Sequence, residues 1–120
     1  MKENRKNIHK IKNKNVLITA GAQGIGASIT RHFIDCGANV AIHYYSSAAT
    51  ANELMEYAIQ KGQNAVIIQG DLTKEVDANE IVSKTIAAFG GIDILINNTG
   101  SLVARKMLNE IIPYQQHFYS

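Results

Sequence analysis

Residues 16–26 read Val-Leu-Ile-Thr-Ala-Gly-Ala-Gln-Gly-Ile-Gly, and they run straight into Ala27-Ser-Ile-Thr-Arg-His-Phe33. The apolar run from Val16 to Ile18 reads as a buried strand, and Gly21, Gly24 and Gly26 then mark a turn. Apolar residues return at Ile25, Ile29 and Phe33, which is helical spacing. Strand, glycine turn, helix brings backbone N–H groups and a helix N-terminus to one point, where they favour a phosphate. Glycine suits such a turn because the backbone bends sharply and a ligand approaches it closely. An ordinary strand-to-helix turn can show the same glycines, so the rest of the chain decides between the two.

The chain continues in the same alternation. A strand over about 15–20 leads to a helix over about 24–36, stopped by Gly37. A strand over about 39–44 leads to a helix over about 47–61, with Ala51, Leu54, Met55, Ala58 and Ile59 on its apolar side and Gly62 at its end. A strand over about 64–69 leads through Gly70-Asp-Leu-Thr73 to a helix over about 75–89, striped by Val82, Ile86 and Phe89 and stopped by Gly90-Gly91. A last strand over about 92–97 ends in Asn98-Thr99-Gly100. Strands alternating with helices imply right-handed βαβ units and a parallel sheet covered on both faces. The near-continuous apolar strands agree, since strands buried on both sides lose their two-residue alternation.

With 120 residues, of which 46% are hydrophobic, the chain has the length and the apolar content for one domain. No apolar run approaches the roughly 20 residues of a membrane span. The net charge of +2 is unevenly placed. Residues 1–14 carry Lys2, Arg5, Lys6, Lys10, Lys12 and Lys14 against Glu3, a balance of +5, and the remainder carries −3. The division expected is a basic flexible tail over 1–14, a domain over 15–111 and a divergent tail over 112–120. The basic tail gives the nucleic-acid reading its only support, through phosphate contact, and a solvated, poorly ordered terminus is the favoured reading. The tail is no secretory signal, because the apolar stretch after it is short and enters the glycine turn. The lone Cys36 excludes an intramolecular disulfide and speaks against a cysteine metal site, which points to the cytoplasm. His9, His32, His43 and His117 show no ligand spacing and read as surface or packing residues.

The common G-x-G-x-x-G does not fit, since the sixth position from Gly24 is Ile29. The longer T-G-x-x-x-G-x-G does fit from Thr19, with Ala20 in place of its first glycine; an alanine is accommodated there if it takes a negative φ. In this motif, and in Asn97-Asn98-Thr99-Gly100 at the end of the fourth strand, the chain resembles the short-chain dehydrogenase/reductase family. The resemblance covers residues 15–110 and implies a Rossmann-like, doubly wound parallel sheet of about four strands in the order 3-2-1-4, incomplete relative to the family. It implies that NAD(P) lies across the strand ends. Ala20, Gly21, Ala22, Gln23 and Ile25 would line the pyrophosphate and ribose, and Tyr45 and Ser46 the adenosine ribose. Asp71 and Leu72 would meet the adenine, with Asn98 and Gly100 beside the ribose. The second strand ends in His43-Tyr-Tyr-Ser-Ser47 without an acidic residue, and the hydroxyls of Tyr45, Ser46 and Ser47 suit a 2′-phosphate, so NADP is favoured over NAD. Capping of the next helix is an alternative use of Ser46 and Ser47, and a turn or cap is one for Asp71.

The family's reaction, hydride transfer between a carbonyl or alcohol and the nicotinamide, employs a serine, a tyrosine with a lysine four residues later, and an asparagine, all beyond the N-N-A-G segment. The last twenty residues hold no Y-x-x-x-K, and Pro113 interrupts a helix there. Tyr57-Ala-Ile-Gln-Lys61 has the spacing but lies on the helix after the second strand, away from the nicotinamide. The expectation is thus a dinucleotide-binding portion without catalytic residues. The alternatives are a non-catalytic dinucleotide-binding module or a nucleic-acid-binding protein using the tail. With no fifth strand expected, the far edge of the fourth strand is left open to self-association.

Overall fold

In the computed structural model, the described residues are 10–99, Leu108, Glu110 and the backbone of 117–119. Gly100 lies outside them. Five parallel strands form one sheet in the order β3-β2-β1-β4-β5: β1 (Asn15–Thr19), β2 (Asn39–Tyr44), β3 (Ala65–Gln69), β4 (Ile94–Asn97) and β5 (His117–Tyr119). Three helices connect the first four strands: α1 (Gly24–Asp35), α2 (Ala48–Gln60) and α3 (Glu75–Phe89). The 3-2-1-4 order is the expected one, and each element lies within two residues of its expected bounds.

Alternation along the strands sorts the core into two layers. Val16, Ile18, Val40 and Ile42 face α1 and α2 and pack on Ile34, Ala51, Leu54 and Ala58. Leu17, Ala41, Ile68 and Leu95 face the other way and pack on Ala78, Ile81, Val82 and Leu108. Both sides of β1 are therefore closed to water, as the unbroken Val-Leu-Ile run requires. At the amino ends of the strands asparagines form a ladder: Asn64 Nδ2 donates to Asn39 Oδ1 at 3.3 Å, and Asn39 Nδ2 donates to Asn15 Oδ1 at 3.0 Å. The Asn13 N–H donates to the Gly37 carbonyl at 2.9 Å, which lays the end of the basic segment against the domain.

Two expectations are corrected. The far edge of β4 is not open, because β5 pairs with it in register Ile94↔His117, Leu95↔Phe118 and Ile96↔Tyr119. The sequence signal for β5 is a three-residue aromatic run, too short to be told from a tail, and the strand gains its order from a neighbour whose ladder groups would otherwise lack partners. The second correction concerns Ala20, which takes φ +52 rather than a negative φ. The turn leaving β1 needs a left-handed residue there, and the surrounding contacts hold an alanine in that state.

Two expected outcomes follow. Leu95 is fully buried at the centre of its layer, so Leu95→Ala will cost about 2–5 kcal/mol in urea unfolding, whereas Ile59→Ala, on an exposed side chain, will stay within about 0.5 kcal/mol. Ala20→Gly removes a left-handed penalty of about 1–2 kcal/mol and adds about 0.4–1 kcal/mol of unfolded-chain entropy cost. The net effect expected is a small gain in melting temperature, and a clear loss would mean that the alanine methyl has a packing role.

Candidate functional site

The carboxyl ends of β1, β2, β3 and β4 surround one cleft of ≈ 190 Å³, lined by Ala20 and Gln23 from the first turn, His43, Tyr44 and Tyr45 from the second strand end, Gly70–Thr73 from the third, and Thr99 from the fourth. This is smaller than the roughly 300–1,000 Å³ of a pocket that encloses a whole ligand. It is sized for one end of an extended molecule.

The β1–α1 turn forms its floor. Thr30 Oγ1 donates to the Gly21 carbonyl at 2.8 Å, which ties the turn to the helix it launches. Gly26 sits where a Cβ would collide with the Ala20 carbonyl and the Asn98 side-chain amide. A glycine here is a requirement of close approach, and it lets α1 begin directly beneath the turn. The first N–H groups of α1 have no partner within the helix and carry the positive end of its dipole.

A second network fixes β4 beside β1. Thr19 Oγ1 donates to Asn97 Oδ1 at 2.9 Å and accepts the Asn98 N–H at 2.9 Å, and Asn98 Nδ2 reaches the Ala20 carbonyl at 3.3 Å. Thr99 Oγ1 adds a donor to Asn97 Oδ1 at 2.7 Å. The asparagines are therefore braces between strands, with Asn98 touching the turn itself.

At the end of β2, Gln23 Nε2 donates to Ser47 Oγ at 2.9 Å across the mouth of the cleft. Ser47 is the N-cap residue of α2 but makes no side-chain cap bond, so the capping use is not realised. Tyr45, 64% exposed, stands at the rim. At the end of β3, Asp71 Oδ1 accepts the Thr73 hydroxyl at 2.6 Å and the Thr73 N–H at 2.9 Å. These bonds, the hydroxyl's first, hold the Asp71 carboxyl below its ordinary range. The turn reading of Asp71 is realised, and the carboxylate is ionised at neutral pH with a second oxygen left over.

Of the residues expected at the site, Ala20, Gln23, Tyr45, Asp71 and Leu72 line the cleft directly. Gly21 and Ala22 are buried behind the turn, Ile25 projects its side chain outward at 75% exposure, and Ser46 is exposed outside the lining. Asn98 braces from below. Sequence reasoning missed His43 as a cleft residue. The imidazole is 3% exposed, and its one signal was a polar residue at the end of the apolar run Asn-Val-Ala-Ile-His. Tyr57 and Lys61 meet Asp35, the phenol at 2.6 Å and the ammonium at 3.4 Å. That cluster sits at the far end of α2, about 20 Å of helix rise from Ser47.

The chain matches the family described as short chain dehydrogenase over residues 14–115. It is 36% identical over 115 residues to general stress protein 39 of Bacillus subtilis, covering 96% of this chain and 40% of that protein. It is 34% identical over 88 residues to the 3-oxoacyl-[acyl-carrier-protein] reductase FabG of Staphylococcus epidermidis, covering 73% of this chain and 36% of that one. A short chain dehydrogenase from Burkholderia cenocepacia solved in complex with NADP superposes with a TM-score of 0.80 at 29% identity, over 85% of this chain and 50% of that one. An NADH-dependent reductase complexed with NAD superposes at 0.79 and 24% identity, over 88% of this chain and 52% of that chain, and shares the fold. The 120 residues thus span about two fifths of the curated relatives' length. With four strand-end motifs at one cleft and a family match over nearly the whole chain, the protein belongs to the short-chain dehydrogenase family.

Proposed function

We propose that this chain is the dinucleotide-holding portion of a short-chain dehydrogenase/reductase, and that it does not transfer hydride by itself. The observation carrying this reading is the convergence of four separate strand ends on one cleft above the α1 N-terminus. The cleft, the open space at Gly24 and the first turn of the helix fit a pyrophosphate bridging an adenosine end and an open end. The relative solved with NADP supports the cofactor class.

Each residue then has a role in binding. The N–H groups of Gly24, Ile25 and Gly26 take the pyrophosphate; Ile25 acts through its backbone, since its side chain points away. Ala20, Gly21 and Ala22 shape the turn beneath it. Tyr45, Ser46 and the Gln23–Ser47 pair face the adenosine ribose. Asp71, fixed by Thr73, accepts the adenine amino group with its other oxygen, and Leu72 lies against the ring. Asn98 and Gly100 pass beside the ribose. NADP is preferred because the end of β2 carries hydroxyls, with the Gln23 amide of the first turn bonded to Ser47, and no carboxylate to repel a 2′-phosphate.

When bound, the dinucleotide supplies the hydride chemistry of carbonyl and alcohol interconversion. Among the described residues, the cleft lining carries no tyrosine with a lysine four residues later. Tyr57 and Lys61 are engaged with Asp35 elsewhere. Among the described residues no helix is long and apolar enough to cross a membrane, and the lone buried Cys36 fits the reducing cytoplasm.

A ligand held only by the folded chain raises its melting temperature, by the equivalent of about 2.7 kcal/mol at one hundred times Kd. NADP is expected to raise it by several degrees and NAD by less, with no turnover of carbonyl or alcohol substrates. Gln23→Arg, adding a cation at the cleft mouth, is expected to raise the NADP-over-NAD preference about tenfold. A folded chain whose melting temperature ignores both nucleotides would defeat the reading.

A further inference from the structure

His43 is anchored on every side. Its carbonyl accepts the Gly21 N–H at 2.9 Å, and its Nδ1 lies 2.9 Å from the Ala20 nitrogen. Its Nε2 lies 2.8 Å from the Gly70 carbonyl oxygen. A backbone N–H can only donate and a carbonyl can only accept, so both nitrogens are assigned: Nδ1 is bare, and Nε2 carries the hydrogen. The imidazole is therefore neutral and in one tautomer. It links the left-handed Ala20 to the start of the β3–α3 loop, the two walls of the cleft.

We propose that His43 is a positioning residue for the dinucleotide: its neutral ring holds the β1–α1 turn and the β3–α3 loop in the binding shape, and protonation of Nδ1 releases the turn. This rests on the dinucleotide reading above. A proton on Nδ1 would face the Ala20 N–H at hydrogen-bond distance, donor against donor. The Thr19–Ala20 peptide must then swing away, which turns Ala20 and disturbs the carbonyl of the next peptide, to which Asn98 and the Gly26 backbone are fitted.

The charges around the ring are few. Asp71 faces it from the β3–α3 loop, with Lys74 beside Asp71 and Asp77 accepting the Asp71 N–H at 2.8 Å. Tyr44 and Tyr45 flank it on the β2 side, and the β1 turn and β4 contribute the uncharged Gln23 and Thr99. Burial pushes the imidazole below its ordinary range, against the smaller opposite effects of the Gly70 bond and Asp71. The unfolded chain therefore binds the proton more readily. This contribution to stability is complete above about pH 6.5. It shrinks as the pH falls below that value toward the folded-state midpoint.

The test begins with nitrogen NMR of the imidazole in the full chain, free and with NADP. The free chain is expected to show the Nε2–H tautomer at pH 8. Hydrogen exchange at the Ala20 amide should accelerate as His43 titrates. NADP affinity should fall about tenfold per pH unit below that midpoint, and by reciprocity saturating NADP should push the midpoint lower. His43→Asn keeps a δ-position acceptor without a titrating ring. It lacks the Nε2–H bond to the Gly70 carbonyl, so it should bind NADP more weakly than the parent at pH 8, and it should lose the extra acid dependence. The nucleotide 2′-phosphate titrates identically against both chains, so it cancels. His43→Leu, which orphans the Ala20 N–H, should bind at least tenfold more weakly. The proposal is overturned by a bare Nε2, by Ala20 exchange indifferent to the His43 titration, or by equal acid dependence in parent and His43→Asn. Absence of NADP and NAD binding at pH 8 sinks the dinucleotide reading instead, and the tautomer and exchange results still judge the strut.

Discussion

Everything at the cleft depends on the peptide of one residue, Ala20. Its N–H is held by His43 and its carbonyl is met by the Asn98 amide. The space beneath it is left free by Gly26, where any Cβ would strike that carbonyl. Three sequence-distant segments therefore converge on one backbone unit. The left-handed conformation of an alanine costs about 1–2 kcal/mol, which is the order of one or two buried hydrogen bonds. Ala20 persists in that state because bonds on both sides of the peptide outweigh the strain. The turn is a property of its neighbours more than of its own sequence.

The sheet explains why those neighbours are within reach. Parallel strands all end at the same level, and β1 lies between β2 and β4, so their carboxyl ends flank the turn. Register Ile18↔Ile42 continues to put His43 beside the turn, and Thr19↔Asn97 puts Asn98 beneath it. Thr19 then acts as the hinge pin between strands, donating to one asparagine and accepting from the next. Layers of fully buried Val16, Leu17 and Ile18 on both faces keep that register from slipping.

Much of this was legible before any coordinates. Apolar runs and glycine stops located four strands and three helices, because burial on both faces and helical periodicity leave strong patterns. The strand ends located the cleft, and Ala20, Gln23, Tyr45, Asp71 and Leu72 do line it. What stayed hidden was contextual. The sign of φ at Ala20 is decided by His43 and Asn98, which lie 23 and 78 residues away. His43 looked like packing because a histidine's role depends on which atoms face its two nitrogens. Strand β5 was invisible because three residues carry no period, and its placement comes from the open ladder of β4. For Ser47 the sequence offered a phosphate contact, with helix capping as the alternative, and its hydroxyl is turned to Gln23.

The division of the family's site follows from the same topology. Every described residue lining the cleft lies between Ala20 and Thr99, inside the first four strand ends. The adenosine half of a dinucleotide site is built from a turn, two strand ends and a helix N-terminus, all of which these residues hold in place through their own hydrogen bonds. Proton transfer at a carbonyl is a different demand: it needs an acidic group with a tuned pKa at hydrogen-bond distance from the reacting oxygen. Among the described residues, the ionisable side chains facing this cleft are a carboxylate kept ionised by Thr73, a buried histidine with both nitrogens committed, and rim tyrosines of β2. The carboxylate has no proton to give at neutral pH, and the histidine cannot give or take one without breaking the turn. In the proposed reading, the geometry that grips a nucleotide is thus the same geometry that commits these two groups to hydrogen bonds of their own.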